Sequence, residues 1–318
     1  MVSAKREKIV ILTGPTAAGK TAVAFALAKL PGCKPIEIIN ADSLLVYREM
    51  NIGTAKPTDA ELQKVPHHLI NIFNPDQTFT AGDFVQLTNQ AIQAVEARGN
   101  RPLIVGGTGF YLKALLFGLW DSPKSDPALR TRLEEKSNEE LYKILFQADE
   151  EAALQIGGND RYRLVRSVEV LELSGMSPTQ LQKEKTGLPA DPRFDLWIVD
   201  RETKELHQRI ALRTQEMLKE GLVAEVEALH RKYPESRALS AVGYIQVLRY
   251  LEGVEPEGRK LKSGIEGLTE EIELATRQLV KKQRTWFKGM LKKSEARTFL
   301  LDSDLPEINN LFQEFYKK

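Results

Sequence analysis

The octapeptide Gly14-Pro15-Thr16-Ala17-Ala18-Gly19-Lys20-Thr21 fits the pattern G-x-x-x-x-G-K-[ST]. It sits where such a segment can work, after the apolar run Lys8-Ile9-Val10-Ile11-Leu12 and before an alanine-rich stretch from Thr21 to Leu30. A strand, a glycine-rich turn and a helix in that order aim backbone N–H groups inward, and the helix N-terminus adds positive partial charge. Polyphosphate oxygens suit such a cradle. Lys20 would neutralise a terminal phosphate, and the Thr21 hydroxyl would hold Mg²⁺. Taken alone, the motif leaves open a kinase, a nucleoside triphosphatase and an enzyme that expels diphosphate. A Walker B pattern of four apolar residues and an acid is not evident. The nearest is Ile36-Glu37-Ile38-Ile39-Asn40-Ala41-Asp42, where the acid lies past the strand.

The surrounding sequence alternates in the same manner. Pro35-Ile36-Glu37-Ile38-Ile39, Pro102-Leu103-Ile104-Val105 and Leu196-Trp197-Ile198-Val199 are short, apolar and β-branched, as strands covered on both faces are. A helix from Ala81 to Arg98 opens with Thr80 and Asp83 at capping-box spacing and stops at Gly99-Asn100. This predicts an α/β fold, a P-loop doubly wound parallel sheet with right-handed crossovers. Between Leu119 and Arg193 strand character disappears. Asp126-Pro127 starts a helix to Lys136, Asn138–Gln147 and Asp160–Ser174 follow, and Gly157-Gly158, Ser174-Gly175 and Gly187-Leu188-Pro189 are breaks. Residues 1–120 and 194–318 therefore form the P-loop core with C-terminal helices, and 121–193 a helical insertion domain. After Asp200 the chain is again helical, from Thr203 through Gly221 to Lys232 and from Thr269 to Lys293.

The 318 residues carry 45 Lys and Arg against 44 Asp and Glu, a formal charge of +1, which excludes a polyanion coat by bulk charge but not a local basic patch. The single cysteine, Cys33, excludes an internal disulfide and a multi-thiolate zinc site. No apolar run is long enough to cross a bilayer and the start is not that of a signal peptide, so a cytoplasmic protein without membrane contact is expected. His67 and His68, without a cysteine cluster, are expected to pack locally rather than bind zinc.

Beyond the cradle, a set of motifs resembles bacterial tRNA dimethylallyltransferases. They are Asn40-Ala41-Asp42-Ser43-Leu44-Leu45-Val46-Tyr47, Asn51-Ile52-Gly53-Thr54-Ala55-Lys56-Pro57, Pro66-His67-His68-Leu69-Ile70 and Val105-Gly106-Gly107-Thr108-Gly109-Phe110-Tyr111. Asp160-Arg161-Tyr162-Arg163, Ala241-Val242-Gly243-Tyr244 and Thr276 to Phe287 follow in family order. The resemblance implies transfer of a dimethylallyl group from dimethylallyl diphosphate to N6 of the adenosine just 3′ of the anticodon. It implies Asp42, Thr108, Lys20 and Arg213 as catalytic residues, with Asp42 taking a proton from a weakly nucleophilic amine. Thr108 would line the channel between donor and base. Arg213, four residues after Arg209 on one helix face, would hold the diphosphate. Leu45, Asn71 and Gln246 depart from the residues common in the family, and the zinc finger of eukaryotic relatives is absent.

The C-terminal helix supplies local basicity. From Arg277 to Ser294 it bears Arg277, Lys281, Lys282, Arg284, Lys288, Lys292 and Lys293 without an acid, with Trp286 and Phe287 interleaved. Cations suit phosphates and aromatic faces suit unstacked bases. A tRNA anticodon stem-loop would accordingly meet Asp42, Ser43, Leu44, Leu45, Val242, Gly243 and Tyr244. It would also meet Lys281, Lys282, Gln283, Arg284, Thr285, Trp286, Phe287 and Lys288, and Arg130, Arg161, Arg163 and Arg166 of the insertion, which could clamp a hairpin. The target adenine must leave its stack. A monomer with Mg²⁺ is expected. A small-metabolite kinase, an adenine-nucleotide prenyltransferase and a nucleotide-gated RNA-binding protein are the competing readings.

Overall fold

A computed structural model describes residues 8–119, 123–184, 189–254, 262–291, 294 and 296–316. In chain order the elements are β1 (Ile9–Thr13), α1 (Lys20–Leu27), β2 (Ile36–Asn40), α2 (Asp59–Leu62), β3 (His67–His68), α3 (Ala81–Ala97), β4 (Arg101–Val105) and α4 (Gly109–Phe117). Then come α5 (Pro127–Glu134), α6 (Asn138–Ala148), α7 (Glu150–Ile156), α8 (Arg161–Ser174) and α9 (Pro178–Glu184). The chain continues through β5 (Phe194–Asp200), α10 (Thr203–Glu220), α11 (Leu222–Lys232), α12 (Tyr244–Leu251), α13 (Gly264–Leu291), β6 (Ala296–Leu300) and α14 (Leu301–Tyr316).

The six strands form one parallel sheet in the order β3-β2-β4-β1-β5-β6. Every residue of β1 and β2 is buried, as their mostly apolar composition suits central strands, with Thr13, Glu37 and Asn40 the buried polar exceptions. After β1 the chain runs to one side of the sheet through β2, β3 and β4, and later to the other side through β5 and β6. The turn that leaves β1 therefore lies at the switch point, where ligands of doubly wound sheets bind. On one face Val10, Leu12, Trp197 and Val199 pack with Val23 and Leu27 of α1 and with Ile308, Phe312 and Tyr316 of α14. The Tyr316 hydroxyl accepts from Val10 N–H at 2.9 Å and donates to the Pro102 carbonyl at 3.0 Å, tying the last helix to two strands.

Two departures from the sequence reading have local causes. Strand β6 was not foreseen because four of its five residues keep some exposure and only Phe299 is buried. The helix expected to run from Thr203 to Lys232 is interrupted at Gly221, whose φ of 103° lies in the left-handed region. Lys292, Lys293, Gly187 and Leu188 fall outside the described residues.

The chain divides into two compact units, Met1–Leu116 with Ala190–Lys318, and Phe117–Pro189. The sequence reading of 121–193 is displaced toward the C-terminus because residues 190–193 are stitched to the sheet unit. There Asp191 N–H donates to the Leu116 carbonyl at 2.8 Å and Ile9 N–H to the Arg193 carbonyl at 2.7 Å. The helical unit has its own core of Leu133, Leu141, Leu145, Leu164 and Val168. Its helices start on side-chain caps, Asp126 for α5, Ser137 for α6, Asp149 for α7 and Asp160 for α8. Glu169 is fully buried there. Burial alone would raise its pKa, but hydrogen bonds from Ser125 and Arg166 outweigh that and lower it.

In the sheet unit the ends of β2 and β4 approach so closely that a Cβ on Gly106 would lie 2.1 Å from the Ala41 carbonyl carbon. Gly106→Ala is expected to lower stability by about 1–3 kcal/mol through forced backbone separation. The urea midpoint should fall with the slope unchanged. An unaltered midpoint would mean that this seam is loose.

Candidate active site

The turn after β1 is shaped by backbone sterics. Gly14 has φ of 153°, and a Cβ there would sit 2.0 Å from the Val199 carbonyl oxygen, so no side chain fits. Ala17 and Gly19 adopt φ of 67° and 98°, reversing the peptide orientation before α1 begins. Cations meet the carbonyl groups of this turn. Lys20 Nζ donates to the Gly14 and Pro15 oxygens at 2.9 Å each, Arg209 Nε to Ala17 at 2.9 Å, and Arg201 Nε to Ala18 at 2.9 Å. Burial pushes the Lys20 amine down to about 8, with Arg213 acting in the same direction and Asp42 and Asp200 opposing it. Burial likewise lowers the pKa of Arg213, against the pull of Asp42. An added anion would relieve both groups.

Asp42 follows β2 on a clamped backbone. Buried Asn40 accepts from Asp42 N–H at 2.9 Å through Oδ1 and donates to the Asp42 carbonyl at 3.0 Å through Nδ2, which also reaches the Leu69 carbonyl at 3.0 Å. Asp42 Oδ1 accepts from Leu44 N–H at 2.9 Å, while Oδ2 has no partner among the described residues. One oxygen thus caps the local turn and the other is uncommitted. Thr108 follows β4, and its hydroxyl oxygen accepts from Ser43 N–H at 2.9 Å, which joins the two loops and leaves the hydroxyl proton available to donate.

Two cavities share a wall here. One, of about 610 Å³, is lined by Lys20, Thr21, Asp42, Leu45, Lys56, His67, Arg209 and Arg213 among others. The second, of about 330 Å³, is lined by Asp42, Ser43, Leu44, Thr108, Arg213, Val242, Gly243, Met217 and Gln283 among others. Thr16, Ala17, Asp42, Thr54 and Arg213 belong to both. Arg213 reaches the Thr54 carbonyl at 3.4 Å. The loop carrying Thr54 is gathered by Glu225, whose carboxylate accepts from the N–H groups of Asn51, Ile52 and Gly53 at 3.0, 2.8 and 3.1 Å and from the Tyr244 hydroxyl at 2.8 Å.

The sequence-nominated RNA residues separate into groups. Lys281, Lys282, Thr285 and Lys288 are exposed on α13, and Trp286 is half-buried with its indole against Gly109. Phe287 is instead a core residue at 3% exposure, and Tyr244 is fully buried on Glu225, so neither offers a ring to a base. Arg284 is committed inward, to Asp200 at 2.9 Å and to Thr203 at 2.8 Å. Gln283 faces the phosphate turn rather than the surface, accepting from Thr16 N–H at 2.8 Å. In the helical unit Arg161 bonds the Lys136 carbonyl, Arg163 pairs with Asp160 and Arg166 with Glu169 at 2.6 Å each, and Arg130 lies 5.3 Å over the Tyr162 ring. His67 bonds the Val65 carbonyl, and His68 contacts Glu37 at 2.6 Å, a carboxylate that Arg98 holds at about 2. No cluster of three metal-ligating side chains occurs among the described residues.

Sequence reasoning missed the roles of Asn40, Glu225, Arg201 and Lys56. Asn40 was detectable as the polar residue that closes the apolar pair Ile38-Ile39. Lys56 donates to the Tyr47 carbonyl and to Asn71, each at 2.6 Å, and burial lowers its amine to about 8. Glu225 carries no local signal, since its partners lie some 170 residues upstream.

Fold and site together define a P-loop α/β protein whose phosphate turn opens beside a carboxylate and a half-buried arginine. The family model described as IPP transferase matches residues 45–290. The tRNA dimethylallyltransferase 1 of Citrifermentans bemidjiense is 40% identical over 285 residues, covering 89% of this chain and 90% of that protein. The tRNA dimethylallyltransferase of Neisseria meningitidis serogroup A is 42% identical over 291 residues, covering 88% and 89%. Among solved structures, the tRNA isopentenylpyrophosphate transferase of Bacillus halodurans superposes with a TM-score of 0.66 at 33% identity, covering 97% and 96%. A eukaryotic dimethylallyltransferase acting on tRNA shares the fold at a TM-score of 0.76 and 23% identity, covering 95% of this chain and 77% of that one. The chain belongs to the IPP transferase family.

The Lys20 amine gives a signed pH dependence. Below about 8 it is an ammonium, the form that would attract a diphosphate, and as pH rises through that value it becomes neutral. Diphosphate affinity is therefore expected to hold between pH 6 and 8 and then to weaken by up to about tenfold per unit above 8. Titration calorimetry with magnesium diphosphate checks this. A flat profile to pH 9.5 would show that Lys20 does not contact the anion.

Proposed function

We propose that the protein transfers a dimethylallyl group from dimethylallyl diphosphate to the exocyclic N6 of the adenosine immediately 3′ of the anticodon in tRNA, releasing diphosphate. The observation that carries this reading is Asp42, which stands on the wall common to both cavities with one carboxylate oxygen uncommitted. The larger cavity, with Lys20, Thr21, Arg209 and Arg213, suits the diphosphate. The smaller one, with Thr108, Ser43 and Leu44, suits a flat base.

In this arrangement the amine lone pair attacks the allylic carbon, an N–C bond forms and the C–O bond to diphosphate breaks. Asp42 accepts the amine proton, and Lys20, Arg213 and the N–H groups of the turn stabilise the charge gathering on the leaving oxygens. Thr108 donates its hydroxyl proton toward the base. Thr21, exposed in the first turn of α1 on the cavity wall, offers the hard oxygen that suits Mg²⁺, with the remaining ligands coming from phosphate and water. Bound there, Mg²⁺ would offset diphosphate charge.

The exposed Lys281, Lys282 and Lys288 suit the RNA backbone, and a single chain supplies every residue invoked. In the helical unit the exposed Tyr162 ring, with Arg130 over it, offers an aromatic face of the sort that suits RNA. No helix among the described residues is long and apolar enough to cross a membrane.

Incubation with labelled dimethylallyl diphosphate, Mg²⁺ and unmodified tRNA should place label in the RNA. Label in free nucleotide, or phosphate transfer from ATP, would overturn the assignment. Asp42→Ala should lower turnover by roughly two to four orders of magnitude while sparing tRNA affinity.

A further inference from the structure

Gln283 projects from α13 into the seam between the phosphate turn and the loop that carries Thr108. Its Oε1 accepts from Thr16 N–H at 2.8 Å, and its Nε2 donates to the Gly107 carbonyl at 3.2 Å. A carbonyl cannot donate and an N–H cannot accept, so the two partners fix the amide in one orientation. The seam is close. A Cβ built on Gly107 would lie 3.2 Å from Gln283 Nε2, 3.3 Å from the Gly14 oxygen and 3.4 Å from Lys20 Nζ. On either side of this contact, Thr13 donates to the Gly106 carbonyl at 2.7 Å, and Thr108 accepts from Ser43 at 2.9 Å. The strand ends are thus joined directly, whereas Thr16 is linked to the Gly107 carbonyl through the Gln283 amide.

We infer that Gln283 is a positioning residue that fixes the distance between the diphosphate cradle and the Thr108 loop, and does not read RNA. The inference rests on the transfer reading above. Thr16 lies on the wall common to both cavities, and Gly107 immediately precedes the hydroxyl that faces the second. Moving one loop against the other would misplace the allylic carbon relative to the amine, the kind of error to which bimolecular transfer is most sensitive. Only an amide satisfies both partners. A carboxylate would still accept from Thr16 but would face the Gly107 carbonyl without a proton, and would add negative charge where a diphosphate must bind. Gln283 also lines the smaller cavity, but Lys281 and Lys282 are exposed whereas Gln283 is half-buried and bonded to the two loops, so binding of the RNA backbone can be measured apart from the cradle.

The test uses the full chain with Gln283→Met, which keeps the length and loses both bonds, and Gln283→Glu, which keeps one. Three quantities are read: magnesium diphosphate affinity without RNA, tRNA affinity without donor, and kcat with KM for each substrate. Gln283→Met is expected to weaken diphosphate binding by about tenfold and to lower kcat by about ten- to a hundredfold. Gln283→Glu should weaken diphosphate binding further than Gln283→Met. Both should hold tRNA affinity and KM for tRNA within about twofold of the parent. Unchanged diphosphate affinity and kcat in both variants would overturn the inference. So would lost tRNA affinity with intact diphosphate binding, which would make Gln283 an RNA contact. Should the parent protein fail to prenylate tRNA, the transfer reading fails, and the diphosphate comparison still decides the part given to Gln283.

Discussion

A backbone turn that aims its N–H groups at an anion leaves its carbonyls needing other partners, and the architecture of this site follows from how that need is met. Lys20 bonds the carbonyls of Gly14 and Pro15, Arg209 that of Ala17 and Arg201 that of Ala18. The cradle is therefore ringed by cations whose hydrogen bonds hold the loop in shape. Two of them, Lys20 and Arg209, also line the cavity that the loop faces. Arg209 belongs to the same helix as Arg213, so one element from beyond the helical insertion both braces the turn and carries positive charge into the cleft. A loop so held loses little further entropy on binding a diphosphate, and its dipoles are already oriented when charge develops on the leaving oxygens.

The acid side is held with equal care. Asn40 clamps the peptide of Asp42 from both directions, and the Leu44 N–H fixes one carboxylate oxygen, so the other is aimed. Opposite it, Glu225 organises residues 51–53 by accepting three N–H groups, and the adjoining Thr54 carbonyl receives Arg213. The carboxylate and the guanidinium that share the wall of the two cavities are each positioned by hydrogen bonds with neighbouring residues.

Much of this was legible before any coordinates. The four runs became strands because short segments rich in apolar and β-branched residues need cover on both faces, and the Thr80–Asp83 capping box forms with Asp83 N–H donating to Thr80 at 3.1 Å. The parallel sheet with its P-loop emerged as the alternation implied. Composition misled where periodicity held the answer. Phe287 lies on a stripe with Ile272, Val280 and Met290, all buried, and that spacing marks a core face whatever charges flank it. Arg284 looked like an RNA contact only because its acid, Asp200, is 84 residues away in sequence and invisible to local reading. Tyr244 was drawn into the RNA surface by its motif, whereas its hydroxyl completes the Glu225 cluster. Long-range polar pairing is thus the part that a sequence conceals, and here it decides which cations face solvent.

The central claim is that one bound state brings the donor's phosphates to the amides of Ala17, Gly19 and Lys20 while the reacting amine meets Asp42. A crystal structure with Mg²⁺, an unreactive thio-analogue of dimethylallyl diphosphate and an anticodon stem-loop measures this most directly. The account predicts phosphate oxygens within hydrogen-bond distance of those amides and of Lys20 and Arg213, with the adenine N6 within hydrogen-bond distance of the Asp42 carboxylate. A donor seated away from the phosphate turn, or an adenine whose N6 lies far from Asp42 with the analogue in place, would contradict it.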